Sequence, residues 1–137
     1  MRTRRTLPKN KVTVQYAVAR RGVPAAAALR EWARAVPRMD LTLRIVGARE
    51  ARQLNRRFRR RDYATNVLSF HPGDIVLCHP VIVREARAQR KSVRAHYAHL
   101  VVHGVLHLRG YVHGERMENH EIRTLRRFGF ADPYTVK

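Results

Sequence analysis

Apolar and polar positions alternate over residues 12–18 (VTVQYAV), the period-two pattern of a half-buried strand. Gly22 and Pro24 then punctuate the chain, and AAAALREWARA predicts a helix starting at Pro24 and closed by Pro37. Alternation returns in LTLRIV (41–46), which predicts a second strand. Helical spacing follows over 48–61, with Ala51, Leu54 and Phe58 on one face. Two short apolar runs, TNVLSF (65–70) and DIVLC (74–78), flank His71-Pro72-Gly73 and predict a hairpin. Pro80 opens a helix over 81 to about 90. A longer helix is predicted over about 92–109, with Val93, Tyr97, Leu100, Val101 and Leu108 as its buried stripe and Gly110 as its stop. The last helix, ERMENHEIRTLRRF, carries acidic residues near its start and arginines near its end, the order its dipole favours, and ends at Gly129. These elements predict an α+β class: a small mixed sheet with helices packed on it.

The 137 residues, 45% of them hydrophobic, suffice for one domain with a core and are too few for two comfortable ones. We therefore expect a basic, flexible tip at residues 1–10 and a single compact domain over 11–137. The single cysteine, Cys78, excludes a disulfide within the chain and fits a reducing, cytoplasmic setting. The basic start is followed by a run too short and too alternating for a signal-peptide core, and no segment approaches membrane-spanning length.

Charge changes the picture most. Lys and Arg number 29 against 10 Asp and Glu, a formal charge of +19, which predicts a polyanionic partner. Nearly all of the excess is arginine, whose planar fork binds phosphate bidentately and stacks on bases, although a GC-rich coding bias also replaces Lys with Arg. A membrane surface is the weaker reading, because basic anchors normally pair their charge with a strongly apolar helix face or a lipidation signal.

Three of the eight histidines fall in HGVLHLRGYVH, residues 103–113. His103 and His107, four apart on a helix, project from one face about a turn apart. Gly110 permits the left-handed turn that brings His113 to the same point. Three neutral imidazoles that leave a fourth position open are the donor set of a catalytic zinc, so one Zn2+ per chain is expected on His103, His107 and His113. The spacing is that of the metzincin peptidases, but their general-base glutamate would fall at Gly104, which removes the peptidase chemistry. Phosphodiester cleavage needs only a metal-activated nucleophile and positive charge around the phosphate. His99, four residues before His103, is read as structural; so is Asp74, and Thr65 and Asn66 are read as turn or cap residues.

The same residues resemble a known family. HGVLHLRGYVH is similar to the YbeY-family signature H-G-x-L-H-L-x-G-Y-D-H at every position except Val112. LNRRFRRRDYATNVLSF (54–70), GDIVLC (73–78) and MENHEIRTLRRFGFADPY (117–134) resemble further blocks of that family in the same order, so the likeness spans roughly residues 41–134. It implies a zincin-like fold with a metal-bearing helix and a single-strand-specific endoribonuclease that matures the 3′ end of small-subunit (16S) rRNA and serves ribosome quality control. The implied partners are rRNA or other single-stranded RNA and the small ribosomal subunit. The resemblance carries the family's functional arginine onto Arg59, making Arg59 and His103 the catalytic candidates; Arg56, Arg57, Arg59 and Arg60 are the RNA-binding candidates. Val112 stands where the family has an acid, so the support such a carboxylate gives the metal ligands is expected to be missing. The segments after Phe70 and after His113 are shorter than usual for the family, which is expected to open the cleft. The alternative function is a zinc-containing ribosome- or RNA-binding factor with weak or no cleavage.

Overall fold

The structure, a computed structural model, describes residues 11–35 and 39–135. Its elements run β1 (Val12–Tyr16), α1 (Ala26–Ala33), β2 (Leu41–Val46), α2 (Ala48–Arg59), β3 (Val67–Phe70), β4 (Asp74–Cys78), α3 (His79–Ala88), α4 (Val93–Leu108) and α5 (Glu115–Arg127). The strands form one sheet in the order β1-β2-β4-β3, parallel from β1 to β4 and antiparallel at the β3 edge. This is the expected α+β architecture with a small mixed sheet.

Alternation along β2 sends Leu41, Leu43 and Ile45 to one face, where they join Val12, Ile75 and Leu77 in the main core with α1, α4 and α5. Val46, Val76, Cys78 and Leu68 point to the other face and meet Ala51 of α2 and Val81 of α3. The DIVLC run is apolar at consecutive positions because β4 is an inner strand covered on both sides. Helix α4 is buried at 11 of its 16 positions, so it forms the centre of the helical layer rather than a surface cover.

Several boundaries differ from the pattern-based ones. Strand β1 ends at Tyr16, whose hydroxyl donates to Pro24 O at 2.7 Å, and α1 starts at Ala26. The predicted stop at Pro37 and the tip at residues 1–10 lie outside the described residues. Helix α2 stops at Arg59 because Arg60 adopts a left-handed conformation (φ 59°) and Arg61 N–H turns back to Asn55 O. Phe58 shares a side with Ala51 and Leu54 but is 51% exposed, while Asn55 is buried and donates to Tyr63 O at 2.9 Å. Strand β3 starts at Val67, two residues later than read, and α3 begins at His79 with Pro80 in its first turn.

The hairpin forms with Phe70 opposite Asp74. Gly73 passes so close to the backbone of Asp40 that a Cβ would collide with the Asp40 carbonyl, and Gly73 O accepts from Thr42 N–H at 2.8 Å. The hairpin is thereby fastened to β2, which fixes β3 at the edge beside α4.

Candidate metal centre

Helix α4 brings His103 and His107 to its outer end with ring centroids 4.6 Å apart. The helix then stops as required: Gly110 has φ 97°, its N–H donates to His107 O, and Tyr111 N–H donates to Leu106 O. The reversed chain delivers His113, whose ring lies 5.1 Å from His103 and 4.7 Å from His107. One ligand nitrogen from each of the three lies within 4.8 Å of the others.

Hydrogen bonds orient these rings. His103 Nδ1 donates to Glu121 Oε2, and His107 Nδ1 donates to Tyr111 O at 3.1 Å, which leaves the Nε2 of each for a metal. Burial, then the neighbouring His103 and His113, push the His107 imidazole below its usual pKa, so it favours the neutral form a ligand needs. The donor set and its supports fit zinc.

Glu121 is the residue that pattern reading missed. It lies on α5 with no solvent exposure, and its carboxylate receives His103, His99 and the Tyr134 hydroxyl together. Burial acts to raise its pKa, but the hydrogen bonds from His103, His99 and Tyr134 hold it at about 2. A signal was present: Met117, Glu121, Thr124 and Leu125 are the buried positions of α5, so an acid occupies the core stripe of an amphipathic helix. Glu121 also makes a compact group with His99 and His103. Its oxygens are taken up in hydrogen bonds to those histidines, which makes the group a support for the three-histidine site.

Val112 is 78% exposed beside His113, and among the three histidines a carboxylate orients His103, through Glu121. Gly104 faces the sheet: a Cβ there would lie 3.1 Å from Ser69 Oγ and 3.2 Å from Ile75. A peptidase-type glutamate at position 104 would therefore press into the sheet edge.

The three histidines open into a cavity of about 760 Å³ that also includes Arg59, Ser69, Asn66, His96 and His99. Arg59 reaches it from the end of α2, donating to Ser69 O at 2.8 Å with its guanidinium 4.9 Å from the Phe70 ring centre. Arg56, Arg57 and Arg60 are exposed along the end of α2, outside the lining of this cavity. Asn66 donates to Glu85 at 3.0 Å and His96 pairs with the same carboxylate at 2.8 Å, so both brace the cavity floor.

Comparison with known proteins agrees with this geometry. Residues 9–131 match the family described as Endoribonuclease YbeY. A protein named Endoribonuclease YbeY from Nitrosospira multiformis is 47% identical over 96% of this chain and 86% of its own length. Others of that name, from Stenotrophomonas maltophilia and Methylobacillus flagellatus, are 45% and 46% identical and cover 90% and 94% of this chain and 92% and 96% of theirs. The solution structure of TM1509 from Thermotoga maritima superposes with a TM-score of 0.57 at 21% identity, covering 84% of this chain and 87% of that one, a likeness of fold.

Proposed function

The chain belongs to the endoribonuclease YbeY family, and from that premise we propose that it cleaves single-stranded RNA at a site formed by one zinc ion on His103, His107 and His113 with Arg59 beside it. It is an endoribonuclease of rRNA processing. The finer setting we propose is the 3′ end of 16S rRNA on the small ribosomal subunit, in the cytoplasm.

The observation that carries the reading is the convergence of three imidazoles and one tethered guanidinium on the same cavity of a chain with charge +19. When bound, zinc supplies a Lewis acid and a nucleophile competent at neutral pH. Glu121, through its hydrogen bond, keeps the His103 proton on Nδ1 and so presents Nε2 to the cavity. Arg59 lines the cavity, where its guanidinium fork would stabilise charge that grows on the oxygens of an entering phosphate. Arg56, Arg57 and Arg60 hold the flanking backbone of the RNA without reading bases.

Metal analysis with a single-stranded RNA cleavage assay tests this. The expected results are one zinc per chain and cleavage in wild type, loss of both in His103→Ala, and zinc without efficient cleavage in Arg59→Ala. RNA binding without cleavage by zinc-loaded wild type would replace the nuclease with a binding factor.

A further inference from the structure

Phe58 and Phe70 pack edge to face, 5.3 Å apart at 63°, on the opposite side of Arg59 from the three histidines. Phe58 is half exposed on the apolar side of α2, so its ring is open to a ligand from solvent. Guanidinium groups flank both rings: Arg57 lies 5.2 Å from the Phe58 centre and Arg59 lies 4.9 Å from that of Phe70. The rings form one wall of a second cavity of about 700 Å³, open over the outer face of the sheet, whose other side carries Thr42, Arg44 and Asp74. Arg59 and Ser69 belong to both cavities.

Charge decides what this slot takes. Arg44 is already held by Glu50 through two hydrogen bonds, at 2.7 and 3.0 Å, and Asp74 is exposed, so the sheet side of the slot offers a phosphate a neutralised guanidinium and a carboxylate that repels it. The positive charge lies on the α2 side, with Arg59 on the wall shared by the two cavities and Arg57 beyond the rim. A neutral, flat group with exchangeable hydrogens suits the inside, and an anionic backbone suits the outside.

We propose that this slot binds one unpaired nucleobase of the RNA substrate, stacked on the exposed Phe58 ring that Phe70 supports edge to face, with the adjoining phosphates along Arg57 and Arg59. The inference rests on the RNA-cleaving reading of the neighbouring site and adds a specificity determinant to it. A base in a duplex is already stacked on both faces, whereas an unpaired base is free to enter, so the slot favours single strands. A strand leaving the slot passes Arg59 on its way to the histidines because that residue is a shared wall.

The test measures binding of zinc-loaded protein to a short 2′-O-methyl single-stranded RNA, confirmed intact by gel, and to the same oligomers with one abasic position. Phe58→Ala is expected to weaken binding of the full oligomer by about 5- to 150-fold, the range for loss of one base–aromatic stack. Phe58→Trp is expected to keep or tighten it. The slope of affinity against salt should be unchanged in Phe58→Ala and should fall by about 0.7 in Arg57→Ala, which removes a charge. At one abasic position, wild type and Phe58→Ala should bind equally. Unchanged affinity of folded, zinc-replete Phe58→Ala for the full oligomer would overturn the slot and leave the RNA reading standing. Failure of wild type to bind any oligomer would overturn the RNA reading and the slot with it.

Discussion

Arg59 is held in two ways, by its hydrogen bond to Ser69 O and by the face of Phe70, and both use the planar guanidinium. Its replacement by Ala should lower the single-turnover cleavage rate about 100- to 1,000-fold, with zinc content and melting temperature close to wild type, because the side chain is exposed and its loss removes charge stabilisation at the transition state. Lysine keeps the charge but loses the fork, so Arg59→Lys should recover little of that rate. Recovery to near wild type would mean that a point charge suffices. Glu121 acts at one remove. Glu121→Gln keeps its shape but loses the charge and one acceptor, so zinc affinity measured by chelator competition should fall about 10- to 100-fold. Wild-type affinity in that variant would show that the carboxylate does not position His103.

Helix α4 combines the apolar burial of a core helix with the proposed metal ligands His103 and His107, and Gly104 allows both by letting the helix lie directly against β3 and β4. Gly104→Ala gains helix propensity but pushes a methyl to 3.1–3.2 Å from Ser69 and Ile75, closer than ordinary packing. The clash should dominate, with a net loss of about 1–3 kcal/mol in urea unfolding. A stabilised Gly104→Ala would mean that the strands yield. The end of α2 follows a different logic. Arg60, rather than a glycine, takes the left-handed position, and Asn55 with the Arg52–Asp62 pair at 2.7 Å anchors the turn that follows. That cap directs Arg59 toward β3 and leaves Phe58 at the surface.

Across the whole molecule, neutral histidines inside the fold link stability to pH. Burial pushes His79 below its usual pKa, and its Nδ1 is hydrogen-bonded with the Tyr97 hydroxyl at 2.6 Å. His96 is also lowered, by burial first, against the raising effect of Glu85, and its Nδ1 has no hydrogen-bond partner among the described residues. Both imidazoles take up protons more readily in the unfolded chain, where the ordinary value is about 6.5. Their contribution to stability is thus full above that pH and declines as pH falls through 6.5 toward their lower folded values. In urea unfolding at fixed zinc between pH 7.5 and 5, His79→Gln should reduce the slope of stability against pH by up to about 1.4 kcal/mol per unit, the limit for one proton. Proton uptake by the metal ligands contributes to both proteins alike, so an unchanged slope would show that His79 titrates normally when folded.

Periodicity specified the elements with one buried face, which leaves a period of about 2 or 3.6, while β4 and α4, covered on more than one side, read as continuous apolar runs bounded by turn residues, and together these gave the hairpin and the α+β class. The histidine triplet was legible for a related reason: its two spacings and one glycine lie within eleven residues, where local geometry alone brings side chains together. Glu121 comes to His103 from 18 residues away and Tyr134 to His99 from 35, and the packing of α5 and the C-terminal segment against α4 made that support. Five consecutive-looking arginines and a phenylalanine at residues 56–61 were indistinguishable by charge and spacing as to which faces the cleft. The left-handed cap at Arg60 and the edge position of β3 separated them, sending Arg59 to the metal cavity and Phe58 to the outer slot. Local periodicity is written in the chain, whereas the direction of a side chain at the end of an element depends on which distant backbone it meets there.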